Sequence, residues 1–209
     1  MNKVNLIGSV ASEFSLSHSM YGESFYSLTL SVKRDSGIID LIPLLISDRL
    51  INTEDKLINQ KVHIIGQFRS YNEHATEKSK LRLYVFVEVF ELSTDEDVNE
   101  IVLEGYICKE PTYRHTPLGR QISDIILAVN RQYGKSDYIP CVVWGRNAQF
   151  VKEQKVGTGI KISGRIQSRE YMKNDEVRIA YELSVNLLEL CWKLTRLILT
   201  ISYYKIIIN

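Results

Sequence analysis

The sequence predicts an all-β protein built as two tandem five-stranded barrels, and three observations carry that prediction. The chain matches itself at a spacing of 97 residues. Apolar and polar residues alternate with a period of two inside each copy, as they do along half-buried strands. Glycines separate the alternating runs, where tight turns need a residue without a Cβ.

The repeat sets the domain count. Asn2 falls on Asn99, Leu6 on Leu103, Gly8 on Gly105 and His18 on His115. Further on, Val32, Arg34, Gly37, Asp40, Ile42 and Pro43 fall on Val129, Arg131, Gly134, Asp137, Ile139 and Pro140. One residue of slippage then places Ile64 and Gly66 on Ile162 and Gly164. A register kept over so many positions marks a duplicated domain.

Each copy contains strand-like runs: 4–7, 25–32 and 81–89 in the first, and 122–129, 139–144, 160–166 and 177–187 in the second. Gly22, Gly37, Gly119 and Gly134 stand between such runs. The polar stretches 49–59 and 147–155 break the alternation and predict a short helix between the third and fourth strands of each copy. Five strands and one helix in a domain of this size suit an OB-type barrel, whose closure removes exposed edges. The expected organisation is a first barrel over 1–92, an acidic linker over 93–98, a second barrel over 99–190, and an apolar, cationic tail over 191–209.

Composition excludes several classes of function. The formal net charge is +1, which argues against a strongly basic tail that coats nucleic acid. The balance is uneven along the chain: residues 1–97 hold 10 Lys/Arg against 14 Asp/Glu, and residues 98–190 hold 13 against 11. A polyanion meets a more favourable surface on the second half. Cys108, Cys141 and Cys191 form no CxxC pair or Cys/His ligand set, so no metal or other cofactor is expected. The beginning of the chain lacks the apolar stretch of a signal peptide, and reduced thiols in a cytoplasmic protein are the expectation. His18 and His115 have no neighbouring nucleophile or carboxylate pair, and no glycine-rich phosphate loop precedes a helix, so the chain is not expected to be an enzyme. Asp40 and Asp137 are expected to cap turns.

Binding of an unpaired strand needs flat apolar faces for the bases and cations for the phosphates. The second copy supplies both. Tyr133 lies in a turn beside Arg131 and Lys135. Tyr138 and Trp144 share parity on one strand and therefore one face. Arg165 and Arg169 share parity on the next, and Tyr171 ends it. Arg146 and Lys173 are weaker candidates, because surface cations are common. A lone tyrosine in a β-protein is more often a core residue, and that reading is applied to Phe25, Tyr84, Phe86 and Tyr181.

Residues 99–190 resemble bacterial-type single-stranded DNA-binding proteins, the SSB family. The resemblance rests on Asn-x-x-x-Leu-x-Gly at 99–105, Thr-Pro-Leu-Gly at 116–119, Leu-Ala-Val-x-Arg at 127–131, Ile-Pro-Cys-Val-Val-Trp-Gly-Arg-Asn-Ala at 139–148 and Ile-x-Ile-Ser-Gly-Arg-Ile at 160–166. It implies that Tyr133, Tyr138, Trp144 and Tyr171 stack bases, with Arg131, Arg165 and Arg169 on phosphates. It also implies a role in DNA replication, recombination or repair, replication or repair proteins as partners, and a homodimer presenting four OB folds. The first copy departs from the pattern, with Ser36, Leu41, Ser47 and Glu73 at the matching positions; Tyr71 nearby is expected to compensate in part, and the copy is expected to be a degenerate scaffold. The tail departs too: it lacks the family's acidic, apolar tip. Three cations and Glu189 interrupt its apolar run, so a terminal helix is expected there and no membrane span.

Two rival classes remain open on sequence. One is an OB protein of the primosomal-accessory type that acts mainly through protein contacts. The other is an RNA binder, since stacking alone does not distinguish the sugars.

Overall fold

The computed structural model describes residues 1–73, 80–173 and 176–191 of the 209, with the side chains of Lys80, Lys173 and Glu176 also outside the description. Among the described residues the chain is all-β with one short α-helix. The first half carries β1 (Asn2–Val10), β2 (Ser15–Met20), β3 (Glu23–Lys33), β4 (Ile39–Ser47), β5 (Lys61–Glu73) and β6 (Lys80–Leu92). The second carries β7 (Val98–Ile107), β8 (Thr112–His115), β9 (Gln121–Asn130), β10 (Ser136–Trp144), α1 (Gly145–Lys152), β11 (Gly159–Lys173) and β12 (Glu176–Leu190).

The same pairing scheme appears twice. β1 pairs with β3 and β5, β5 with β6, β6 in parallel with β4, and β4 with β3, which completes a circuit of five strands. β7, β9, β10, β12 and β11 complete a second circuit in the same way. The halves are not separate sheets, however. β1 runs antiparallel to β7, from Asn2 opposite Leu103 to Ile7 opposite Val98, and this ladder joins all strands into one 12-stranded sheet.

Two sequence expectations need correction. Each half has six strands rather than five, because β2 and β8 add a hairpin arm to β3 and β9. β2 is exposed along its whole length, so it has no buried face to impose alternation. The helix expected over 49–59 shrinks to a 3-10 turn at Asp48–Leu50. There the Asn52 side chain accepts from the Glu54 amide and holds a turn that competes with a helix. In the second half the helix does form, at Gly145–Lys152, burying Ala148 and Val151.

The core follows the repeat. Leu6, Leu30, Ile42, Ile64 and Phe68 are fully buried, and so are their counterparts Leu103, Leu127, Ile139, Ile162 and Ile166. Gly66 and Gly164 sit where the register shifts along β5–β6 and β11–β12. A Cβ on Gly164 would be driven into the Ser184 carbonyl oxygen, and one on Gly66 into that of Phe86. We expect Gly164→Ala to cost about 1–3 kcal/mol through enforced overpacking, seen as a lower urea midpoint. An unchanged midpoint would show that this bulge can open freely.

Two matching junctions lock the halves together. The buried Asp40 carboxylate receives two hydrogen bonds from Arg34 at 2.5 Å and accepts from the Ser168 amide at 2.8 Å. The Ser168 hydroxyl in turn accepts from the Leu41 amide at 3.2 Å. At the other junction, Asp137 pairs with Arg131 and accepts from the Ser70 amide at 2.5 Å, while the Ser70 hydroxyl accepts from the Tyr138 amide at 2.8 Å. The two aspartates, expected as turn caps, are therefore buried members of ion pairs that reach into the opposite half.

Candidate nucleic-acid interface

Strand parity decides which side chains of the second half look outward. On β10 the odd residues Asp137, Ile139, Cys141 and Val143 are buried. The even residues Tyr138, Pro140 and Trp144 are more exposed. The Trp144 indole N–H donates to the Ser184 hydroxyl on β12 at 3.1 Å, which ties β10 to β12 on this face, where Ser184 and its neighbour Val142 are themselves covered. Directly opposite residues continue that face on to β11: Ser184 faces Arg165, Glu182 faces Gln167, Ala180 faces Arg169, and Arg178 faces Tyr171.

The rings are spread along this surface. Tyr133 is 97% exposed and Tyr138 47% exposed, at the end where β9 turns into β10. Trp144 is half-buried near the middle, with one edge held by Ser184. Tyr171 is half-buried towards the far end of β11, three residues beyond Ser168, which contacts Leu41 of the first half. The arrangement is thus a long strip with one end at each junction, and no direct contact links the four rings among the described residues. Tyr133 has φ 63° and ψ 30°, the left-handed region, which a bulky non-glycine residue adopts at a cost. Gly134 beside it is left-handed too, at φ 72°, so the pair makes the turn between β9 and β10, as Tyr21 and Gly22 do between β2 and β3.

The cations differ in what they can offer. Lys135 and Arg146 are exposed. Arg169 is exposed too, lies 3.9 Å from Glu182 in a loose ion pair, and has its guanidinium 6.0 Å from the Tyr171 ring. Arg165 is half-buried, and its Nε–H has no hydrogen-bond partner among the described residues. Burial, helped by nearby Arg34, holds the Arg165 pKa below the ordinary arginine value. A buried donor without a partner is costly and favours an incoming acceptor. Lys173 lies on β11, but its side chain falls outside the described residues. Glu182 is the acidic exception on this face and accepts from Gln167 at 2.6 Å.

Arg131 corrects the sequence expectation. Its guanidinium is engaged by Asp137 and by the Ser70 carbonyl at 3.0 Å, and hydrogen bonding to Asp137 raises its pKa. It braces the junction rather than standing ready for a phosphate. Arg34 has the same bracing role opposite Asp40.

Sequence reasoning also missed an outward cluster in the first half. Tyr84 and Phe86 were expected in the core, yet the buried residues of β6 are Leu83, Val85 and Val87. The two rings therefore lie on the other face, half-buried. Arg69 stacks its guanidinium 3.8 Å over Phe86, and Tyr71 meets Tyr84 edge-on at 5.6 Å. The signal was available: aliphatics on one parity of a strand mark its inner face and leave the aromatics of the other parity outside. Phe25 is buried, but against Phe86 at 6.1 Å and outside the core cluster, whereas Tyr181 packs against the core as expected.

An all-β sheet with an outward strip of rings and cations defines the class of protein, and comparison with known proteins narrows it. Residues 98–191 match the single-strand binding protein family. The chain is 40% identical over 81 residues to single-stranded DNA-binding protein 1 of Lactococcus lactis, covering 35% of this chain and 54% of that protein. It is 39% identical over 88 residues to the single-stranded DNA-binding protein of Clostridium tetani, covering 39% of this chain and 61% of the relative. The chain thus spans little more than half the length of the curated relatives it matches. The crystal structure of the wild-type single-stranded DNA binding protein from Thermus aquaticus superposes with a TM-score of 0.76 at 19% identity, covering 92% of this chain and 94% of that one. At that identity the likeness shows the fold, and it extends over both halves. The apolar tail, from Trp192 onward, lies outside the described residues, and no described helix is long and apolar enough to cross a membrane.

Proposed function

We propose that the chain binds single-stranded DNA without sequence preference, in replication, recombination or repair, with the strand lying along the outward face of β10, β12 and β11. In this reading each half is an OB-type barrel, 1–92 and 99–190, and two chains associate to present four. Tyr133, Tyr138, Trp144 and Tyr171 stack bases, and Lys135, Arg165 and Arg169 hold phosphates, with Arg146 and Lys173 as outlying contacts. The observation that carries the proposal is the strip itself: Tyr133, 97% exposed, and Tyr138, 47% exposed, head a line of partly exposed rings that has beside it the exposed Arg169 and the Arg165 Nε–H, unpartnered among the described residues. The family that matches residues 98–191 and the names of the curated relatives support the same substrate.

Salt dependence tests the electrostatic part. Each phosphate held on a single strand contributes a slope of about −0.7 in a plot of log affinity against log salt. Three principal cations therefore predict a slope of roughly −2 for oligo-dT, measured by anisotropy. A flat salt response, or no binding of oligo-dT at micromolar protein, would remove the proposal.

A further inference from the structure

We infer that the DNA-binding strip crosses the junction and continues on to the first half, where Tyr71 and Tyr84 provide an additional base-stacking position beside Tyr138. The inference rests on the binding function proposed above and extends it to a half that lacks aromatic residues at the family's stacking positions.

Three observations carry it. The first is placement. β5 of the first half lies against the start of β10, where the Ser70 hydroxyl accepts from the Tyr138 amide and the Arg131 guanidinium donates to the Ser70 carbonyl. Tyr71 is the next residue along, so a strand leaving Tyr138 meets this hairpin first. The second is exposure without a packing role. The interior of the first half is filled from the opposite parity by Phe68, Leu83, Val85 and Val87. Tyr71 stays 48% exposed, which matches the 47% of Tyr138. Its edge-on contact with Tyr84 fixes the ring while leaving a face open to a base. The third is charge. Arg131 is engaged by Asp137, while Arg69, half-buried with its guanidinium 3.8 Å over Phe86 and with Asp137 and Glu88 acting on it, is the cation beside these rings that can meet a phosphate between two stacked bases.

The other junction lacks the same equipment. There Leu41 occupies the place of Tyr138 and Arg169 that of Tyr71, so the extension is one-sided and gives the strand a direction across the molecule.

Photocrosslinking of the full chain to oligo-dT carrying 5-iodouracil, followed by mapping of the modified peptides, tests this directly. Crosslinks are expected in both halves, at Tyr71 or Tyr84 and at the rings of the second half. Tyr71→Ala should abolish the first-half crosslink and weaken oligo-dT binding about 5- to 150-fold, the range for loss of one stacked base. Tyr71→Phe, which keeps the ring, should bind like the parent. Crosslinks confined to the second half, with Tyr71→Ala binding at full strength, overturn this inference and leave the proposed function standing. Crosslinks in neither half overturn both.

Discussion

Replacing Asp137 by alanine is expected to lower the unfolding free energy by about 3 kcal/mol, a large share of the stability of an ordinary domain. Asp137 is fully buried, and its carboxylate binds Arg131 and the Ser70 amide together. Removing it leaves a guanidinium and a backbone N–H facing each other without an acceptor, in a place that water reaches poorly. Breaking a buried pair from one side costs on the order of 3–5 kcal/mol. The lower end applies because the Arg131 side chain keeps 23% of its exposure and can turn partly to solvent. Asp137→Asn retains an acceptor for Ser70 and should lose less. Urea denaturation checks both variants, and a loss below about 1 kcal/mol for Asp137→Ala would show that the junction is held mainly by the β1–β7 ladder. The sign of the pH dependence also follows. Hydrogen bonding to Asp137 raises the Arg131 pKa above its ordinary value. The stability gained from that shift is complete below the ordinary value and is lost only as pH rises through the raised one. Near neutrality this group makes no slope.

The second large effect concerns binding. Substituting Tyr138, Trp144 and Tyr171 by alanine together should weaken oligo-dT binding by more than about 100-fold, since each stacked base contributes about 1–3 kcal/mol. Trp144→Ala alone should cost on the order of 1–3 kcal/mol, with little dependence on base sequence. Because Trp144 also donates to Ser184, thermal unfolding of the variant should accompany the titration, so that loss of fold is separated from loss of a platform. Quenching of Trp144 fluorescence by oligo-dT gives a direct readout once Trp192 is changed to phenylalanine. Undiminished binding by the triple variant places the site elsewhere.

The two effects separate what the side chains at the repeat positions do. Arg131 and Asp137 recur as Arg34 and Asp40 because both junctions need the same brace. The rings do not recur: Tyr138 stands opposite Leu41 in the repeat, and Trp144 opposite Ser47. What the halves share serves the architecture, and what only the second half has serves the proposed ligand.

Much of this was legible before any coordinates. The 97-residue register predicted the doubled pairing scheme, because the same alternation in the same order makes the same strands. Parity placed Tyr138 and Trp144 on one face, since a strand has only two. The exposed β2 escaped notice, having no buried side to pattern. Tyr84 and Phe86 were put in the core because aromatic residues often are, although the aliphatics between them already filled it. Arg131 was read as a free cation because an ion pair with a residue six positions away looks like two separate surface charges in a sequence.

By itself the amino-acid order determined the strand sequence, the duplicated scheme and the face on which the candidate rings lie, for these follow from local periodicity. Tertiary structure alone decided that the halves join through β1 and β7 into one sheet, that two aspartates are buried across the joint, and that Ser70, the neighbour of Tyr71, meets the Tyr138 amide. Those features depend on contacts between residues some 65 to 130 positions apart, and no local pattern encodes which distant partner a backbone amide or a carboxylate will find.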